Sequence, residues 1–137
     1  MGQLVEILYP LPDRRRTVLS NLVWWESKRL TYNKAVGGAG LVTLATVTFF
    51  FSLPPFPEPP PLGFLVIGAA VYGIAANLCY SLGWIVEQGA RKLWGRQTPD
   101  VGPLLFREGL IFSVGLTLLP AGFAAVAWGV RLLQAIF

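Results

Sequence analysis

The chain has 137 residues, of which 54% are hydrophobic and 13% are charged, and its formal net charge is +4. Because a soluble domain carries about 25% charged residues, this composition excludes an ordinary soluble domain and predicts an integral membrane protein. Histidine is absent and Cys79 is the one cysteine. These counts exclude a disulfide within the chain, a metal site built from cysteine and histidine, and a histidine ligand to haem or chlorophyll.

The first 34 residues precede the apolar stretches. Residues 1–16 are predicted to form a short N-terminal arm, interrupted by Pro10 and Pro12, that lies along another surface. Residues 17–34 are predicted to form an interfacial helix that runs directly into the first span.

Three stretches are long and apolar enough to cross a membrane, which takes about 20 residues in a helix. The predicted spans are residues 35–53, residues 62–86 and residues 109–133. The first contains no charged residue, and the third contains none before Arg131. The sequence therefore predicts an all-α membrane protein, a single domain with three transmembrane helices.

Two loops connect the predicted spans. Residues 54–61 include six prolines and are predicted to lie outside the membrane. Proline cannot continue a helix and favours an extended chain, so a stiff hairpin link is favoured over the alternative, a docking ligand for an aromatic groove. Residues 87–108 are predicted to form a basic cytoplasmic loop.

The basic residues predict the orientation. Ten of the eleven lie before the first span or between the second and third, and none lies in the loop of residues 54–61. Positively charged loops stay in the cytoplasm, which predicts a bacterial inner-membrane protein with a cytoplasmic N-terminus and a periplasmic C-terminus. The same charges are expected to attract anionic lipids at the cytoplasmic face, whereas nucleic acid is not an expected partner.

Aromatic side chains cluster near the predicted ends of the spans. Amphipathic rings favour the headgroup level, where one side is wet and the other apolar. The predicted interfacial anchors are Trp24, Trp25, Tyr32, Trp84, Trp94 and Trp128.

Small and polar residues predict where the helices pack. Helices in lipid associate through close packing and hydrogen bonds, so residues four apart can form a contact face. Gly73 and Asn77 are such a pair in the second span, and Ala125 and Gly129 in the third. Asn77 and the nearby Tyr80 are interpreted as contacts between helices, with a ligand or cofactor contact as the alternative.

If residues 17–37 form one helix, several residues share a stripe that we predict to look toward another helix. This stripe contains Glu26, Leu30, Asn33 and Gly37. Arg29 is close enough along the helix to pair with Glu26 or Asn33. A ring of charged side chains at the cytoplasmic helix ends is interpreted as structural rather than catalytic or ion-conducting. Its members are Glu26, Arg29, Glu87, Arg107 and Glu108.

The sequence contains no recognisable nucleophile–base pair, metalloprotease motif or phosphate-binding loop, so the chain is not expected to be an enzyme. The leading hypothesis is a non-catalytic accessory subunit of a larger inner-membrane complex, photosynthetic or respiratory by analogy alone. Such a subunit would brace other membrane subunits and contact lipid, carotenoid or chlorophyll without side-chain ligands. The alternative is a small oligomeric transporter or channel-like protein that uses Asn77, Tyr80 and the rim charges; a membrane-bound enzyme acting on lipid comes third.

Overall fold

The computed structural model describes residues 17–94 and 101–137. Within these ranges all regular structure is helical and lies in three long helices: α1 (Val18–Ser52), α2 (Leu62–Trp94) and α3 (Gly102–Ile136). Each helix is long and apolar enough to cross a membrane, which confirms the predicted all-helical fold with three candidate spans. The predicted N-terminal arm, residues 1–16, lies outside the described residues.

The helices are longer than the predicted spans. They contain 33 to 35 residues each, or about 50 Å at 1.5 Å per residue, against a hydrocarbon core of about 30 Å. α1 continues without a break across the predicted boundary between residues 34 and 35, and residues 87–94 and 102–108 of the predicted loop are helical. Hydropathy marks only the part of a helix that lies in hydrocarbon, whereas backbone hydrogen bonding continues until the sequence stops it.

Local chemistry sets the helix ends. The Thr17 hydroxyl caps α1 by accepting a hydrogen bond from the backbone N–H of Ser20 at 3.2 Å, as is typical of threonine before a helix. α1 ends just before Pro54 and Pro55, which cannot extend it. α3 begins with a proline in its first turn, where the missing N–H has no helical partner to lose.

The three helices do not pack equally. α1 makes its most extensive contacts with α3, and fewer with α2. The core lies at the end of the bundle where α1 begins and α2 ends, here called the aromatic end. It consists of Trp25, Tyr32, Val36, Ala76, Tyr80 and Phe106.

The opposite end of the bundle, here called the proline end, carries the loop of residues 53–61. The indole N–H of Trp128 donates to the carbonyl of Pro54 at 3.0 Å. Arg131 donates to the carbonyl of Phe56 at 3.3 Å, and its guanidinium lies 4.4 Å from the centre of the Phe51 ring. The proline-rich loop is therefore held against the last turns of α3.

Candidate functional site

A fully buried carboxylate joins the helices at the aromatic end. Glu87 of α2 has no exposed surface and accepts a 2.6 Å hydrogen bond from the indole N–H of Trp25 in α1. Arg91, one turn further along α2, donates to the other carboxylate oxygen at 2.7 and 3.1 Å. A buried charge must be paired and hydrogen-bonded to be tolerated, and Glu87 meets both conditions.

Two glycines allow this close approach. A Cβ placed on Gly83 would lie 2.7 Å from Cη2 of Trp25, and one placed on Gly102 would lie 2.7 Å from Oε2 of Glu87. Neither distance is sterically possible without movement. The Glu87 carboxylate consequently sits beside the first residue of α3, where the helix dipole favours a negative charge.

Aromatic rings pack around this group. The Trp25 ring lies 5.4 Å from that of Tyr80 and 6.4 Å from that of Phe106, edge to face in both cases, an arrangement that aromatic pairs prefer. The Tyr80 hydroxyl donates to the backbone carbonyl of Trp25. Tyr80, which the sequence predicts to contact another helix, lies between α2 and the backbone of α1.

Hydroxyl groups continue the connection along the bundle. Tyr32 of α1 donates to Ser113 Oγ of α3 at 2.9 Å, and Tyr72 of α2 donates to the Ser113 carbonyl at 3.3 Å. One step closer to the proline end, Thr43 of α1 donates to the Thr117 carbonyl of α3 at 2.6 Å. We call these residues the hydroxyl ladder; its bonds join the three helices in the interior.

Arg29 occupies the open side of the aromatic end, between α1 and α2. Its Nε and Nη2 donate to the Glu26 carboxylate at 2.9 and 2.7 Å, so the expected pairing within one turn is present. The guanidinium also approaches Asn77 Oδ1 at 3.5 Å and Ser81 Oγ at 3.3 Å, both longer than a typical hydrogen bond. The Arg29 guanidinium also lies 5.1 Å from the centre of the Tyr80 ring, so Arg29, Asn77 and Tyr80, which the sequence singled out, are neighbours.

The predicted contact stripe of α1 does not form the interior of this chain. Leu30 is 64% exposed and the Glu26 side chain 51% exposed, and Asn33 and Gly37 are exposed as well. The buried residues of α1 lie roughly a third of a turn away: Asn21, Trp25, Tyr32, Val36 and Thr43. The stripe stays a predicted contact for a partner outside the chain.

The predicted charged ring separates into distinct pairs among the described residues. Glu26 pairs with Arg29 on the surface, Glu87 with Arg91 in the interior, and Arg107 lies 3.8 Å from Glu108. Glu87 differs most from its expected position at the rim. Its burial depends on Trp25, 62 positions away, and local spacing carries no signal for such a contact.

The predicted anchors lie in different environments. Trp25 and Tyr32 are each only 2% exposed, so they lie inside the bundle instead of facing headgroups. Trp24 and Trp84 are partly buried against the core, while Trp94 is 71% exposed. Trp128 holds the proline-rich loop.

A groove runs between α1 and α2 from the aromatic end to the proline end. Near Arg29 it is lined by Gly73, Asn77 and Ser81, and it continues as a cavity of about 580 Å³ that shares Gly73 and Asn77 with that first part. Beyond this it opens beside Ser52 and Leu62. Small residues form much of its middle wall: Gly37, Gly40, Gly68, Ala69, Gly73 and Ala76.

The predicted small residues of α3 lie apart from this groove. Ala125 and Gly129 are partly exposed, and a Cβ on Gly129 would meet nothing within 4 Å.

Comparison of the chain with known protein families, curated proteins and solved structures found no match. A functional proposal therefore depends on the arrangement of the side chains. Hydrogen bonds join the helices inside the bundle, and a groove and faces of small residues are open outside.

Proposed function

We propose that this protein is a non-catalytic accessory subunit of a larger complex in the bacterial inner membrane, where it braces neighbouring subunits. One observation carries the proposal. Of the thirteen glycines in the described ranges, ten would meet nothing within 4 Å if a Cβ were added. Glycines in membrane helices allow other helices to approach closely, and most of those described here are unused within the chain.

The outward face of α3 illustrates the point. Gly115, Gly122 and Gly129 recur every seven residues, and each lies in open space. A seven-residue repeat keeps residues on one side of a helix, as in helices that wind around a partner. A helix of another subunit packed along this face would use all three glycines.

The proposed orientation places the aromatic end in the cytoplasm and the C-terminus in the periplasm. Lys28, Arg29 and Lys34 lie on α1 near the aromatic end, whereas Arg131 lies near the proline end. The positive-inside rule supports this choice. The type of complex, photosynthetic or respiratory, is proposed by analogy, and contact with a carotenoid or chlorophyll would be apolar.

The interior favours an accessory role over the transporter alternative. Tyr32, Tyr72 and Thr43 use their hydroxyls to bind other helices, and the Asn77 amide donates to the carbonyl of Gly73 on its own helix. Polar groups that line a transport path would need to meet a substrate or water. The three hydroxyls act as connections between helices, and the Asn77 amide is engaged within its own helix.

Native electrophoresis of membranes solubilised in mild detergent tests the proposal. The wild-type chain should migrate in an assembly much larger than its 15.0 kDa, and Gly122→Leu should release it because the side chain would block the open face of α3. Gly122→Ala keeps the residue small and is the matched control. Migration of the wild-type chain as a free species would overturn the proposal.

A further inference from the structure

The groove between α1 and α2 carries a positive charge at one end and is lined mainly by apolar residues along the rest. Arg29, Asn77 and Ser81 surround its opening at the aromatic end. From there the walls are mainly glycine, alanine, leucine and valine toward the middle of the helices, and the hydroxyls of Thr43, Tyr72 and Thr117 bond to one another's helices. An amphipathic molecule with an anionic head and a hydrocarbon tail matches this distribution.

The position of Arg29 along α1 corresponds to the headgroup layer. The charge-free part of α1 begins at Ala35, six residues or about 9 Å beyond Arg29, and the headgroup layer is roughly 5–8 Å thick. One leaflet of hydrocarbon is about 15 Å, or about ten residues of helix. An acyl chain that starts at the level of Ala35 would therefore end near the level of Ala45 and pass Gly40 and Leu41, which line the groove.

Electrostatics favours an anionic head at this opening. Arg29 is the one charged residue among the described residues that line this opening, and the side chain of its partner Glu26 is half exposed on the surface. Glu26 occupies Nε and one Nη2 hydrogen of Arg29, which orients the remaining N–H groups toward Asn77 and Ser81. The contacts at 3.5 and 3.3 Å are long enough for a phosphate oxygen to replace them with shorter, charge-assisted bonds.

We propose that this groove binds one anionic phospholipid, with its phosphate at the Arg29 guanidinium and one acyl chain along the glycine-lined wall. A transmembrane helix of a partner is the competing occupant. Arg29 is the one charged residue among the described residues that line the groove, and its position at one end, at the level of the headgroups, favours the lipid. The site lies within the chain and does not depend on membership in a complex, so its test is separate from that of the proposed function.

The test is native mass spectrometry of the purified full chain in detergent with equal amounts of phosphatidylglycerol and phosphatidylcholine. The wild type should retain phosphatidylglycerol in preference to phosphatidylcholine. Arg29→Gln should reduce this preference about tenfold, because it removes a charged hydrogen-bond donor to the phosphate and one such bond changes the binding affinity by about that factor. Lys34→Gln removes the same charge from the same helix but leaves the groove unchanged, and should retain the preference.

A second variant tests the groove without altering the ion pair. A Cβ on Gly73 meets nothing within 4 Å, so Gly73→Leu should fold, fill the groove and lower phosphatidylglycerol retention. Gly63→Leu is the matched control, because Gly63 is equally open but lies outside the groove. Circular dichroism of each variant verifies the helical fold.

Equal retention of both lipids by the wild type would overturn the proposal, as would unchanged retention in Arg29→Gln and Gly73→Leu. A third contrary result is a dimer of the chain that Gly73→Leu dissociates while lipid retention stays constant. That result would assign the groove to a helix of a second copy.

Discussion

At the scale of single residues, the Trp25–Glu87 contact and the two glycines beside it fix how the helices meet. Glu87 and Arg91 lie four apart in the sequence, a spacing that allows a pair on one helix face, and the structure contains that pair. It did not identify Trp25 as the second partner, because that contact depends on the relative heights of α1 and α2. Gly83 lies one turn before Glu87 and between two aromatic residues, Tyr80 and Trp84, a pattern that could have indicated a close approach.

Gly83→Ala should destabilise the bundle. The added Cβ would lie 2.7 Å from the Trp25 ring, and overpacking typically costs about 1–3 kcal/mol, more than the roughly 1 kcal/mol that alanine gains in helix propensity. Gly89→Ala is the control, because its Cβ would meet nothing within 4 Å on the same helix. Reversible unfolding in mixed micelles measures both. Equal stability of the two variants would show that the Trp25 ring does not need this space.

Glu87→Gln and Glu26→Gln make the same chemical change in a buried and an exposed ion pair. Glu87 is fully buried, and removing one partner of a buried pair costs about 3–5 kcal/mol. The Glu26 side chain is 51% exposed, and exposed pairs contribute below about 1 kcal/mol. In the same unfolding measurement, Glu87→Gln should therefore lower the free energy of unfolding much more than Glu26→Gln does. A smaller loss for Glu87→Gln than for Glu26→Gln would refute this assignment of roles.

At the scale of helices, the three candidate spans could be predicted because 20-residue apolar stretches leave few alternatives. Which face of α1 lies in the interior could not be predicted from the sequence. Apolar residues surround a membrane helix on all sides, so a stripe of leucine and glycine around Glu26 does not distinguish the interior from lipid. The helix instead buries Trp25, Tyr32 and Thr43, whose partners lie on α2 and α3.

Thr43→Val should weaken the packing of α1 on α3. The change keeps the shape of the side chain and removes the 2.6 Å hydrogen bond to the Thr117 carbonyl. Hydrogen bonds between membrane helices contribute about 0.6 kcal/mol on average and up to about 1.7 kcal/mol, and the free energy of unfolding should fall within that range. Thr43→Ser keeps the hydroxyl and should lose less. A valine variant as stable as the wild type would show that the hydroxyl ladder adds no stability at this position.

At the scale of the whole molecule, the proposed topology places the two ends of the bundle on opposite sides of the membrane. In a Cys79→Ser background, the protein offers no other thiol, so single cysteines report accessibility. Ser52→Cys lies near the proline end and Ser20→Cys near the aromatic end, both at exposed positions. A membrane-impermeant maleimide should label Ser52→Cys in cells with a permeabilised outer membrane, and Ser20→Cys only after the inner membrane is opened. The reverse pattern would invert the proposed orientation.

The whole chain also shows how far sequence reasoning reaches toward function. The absence of histidine and of catalytic motifs narrows the classes of chemistry, and the glycine content indicates helix packing. Which glycines are used inside the chain depends on the tertiary arrangement: Gly83 and Gly102 are closely packed, whereas Gly115, Gly122 and Gly129 are open. The open glycines support the proposal that this protein packs against other membrane subunits.

The most direct test of the accessory-subunit proposal is the mass and composition of the particle that contains this chain, purified through a tag in mild detergent. We expect a mass far above 15.0 kDa, with other membrane polypeptides present in a fixed ratio to this chain. A particle of 15.0 kDa, or one built from whole-number multiples of this chain alone, would contradict the proposal.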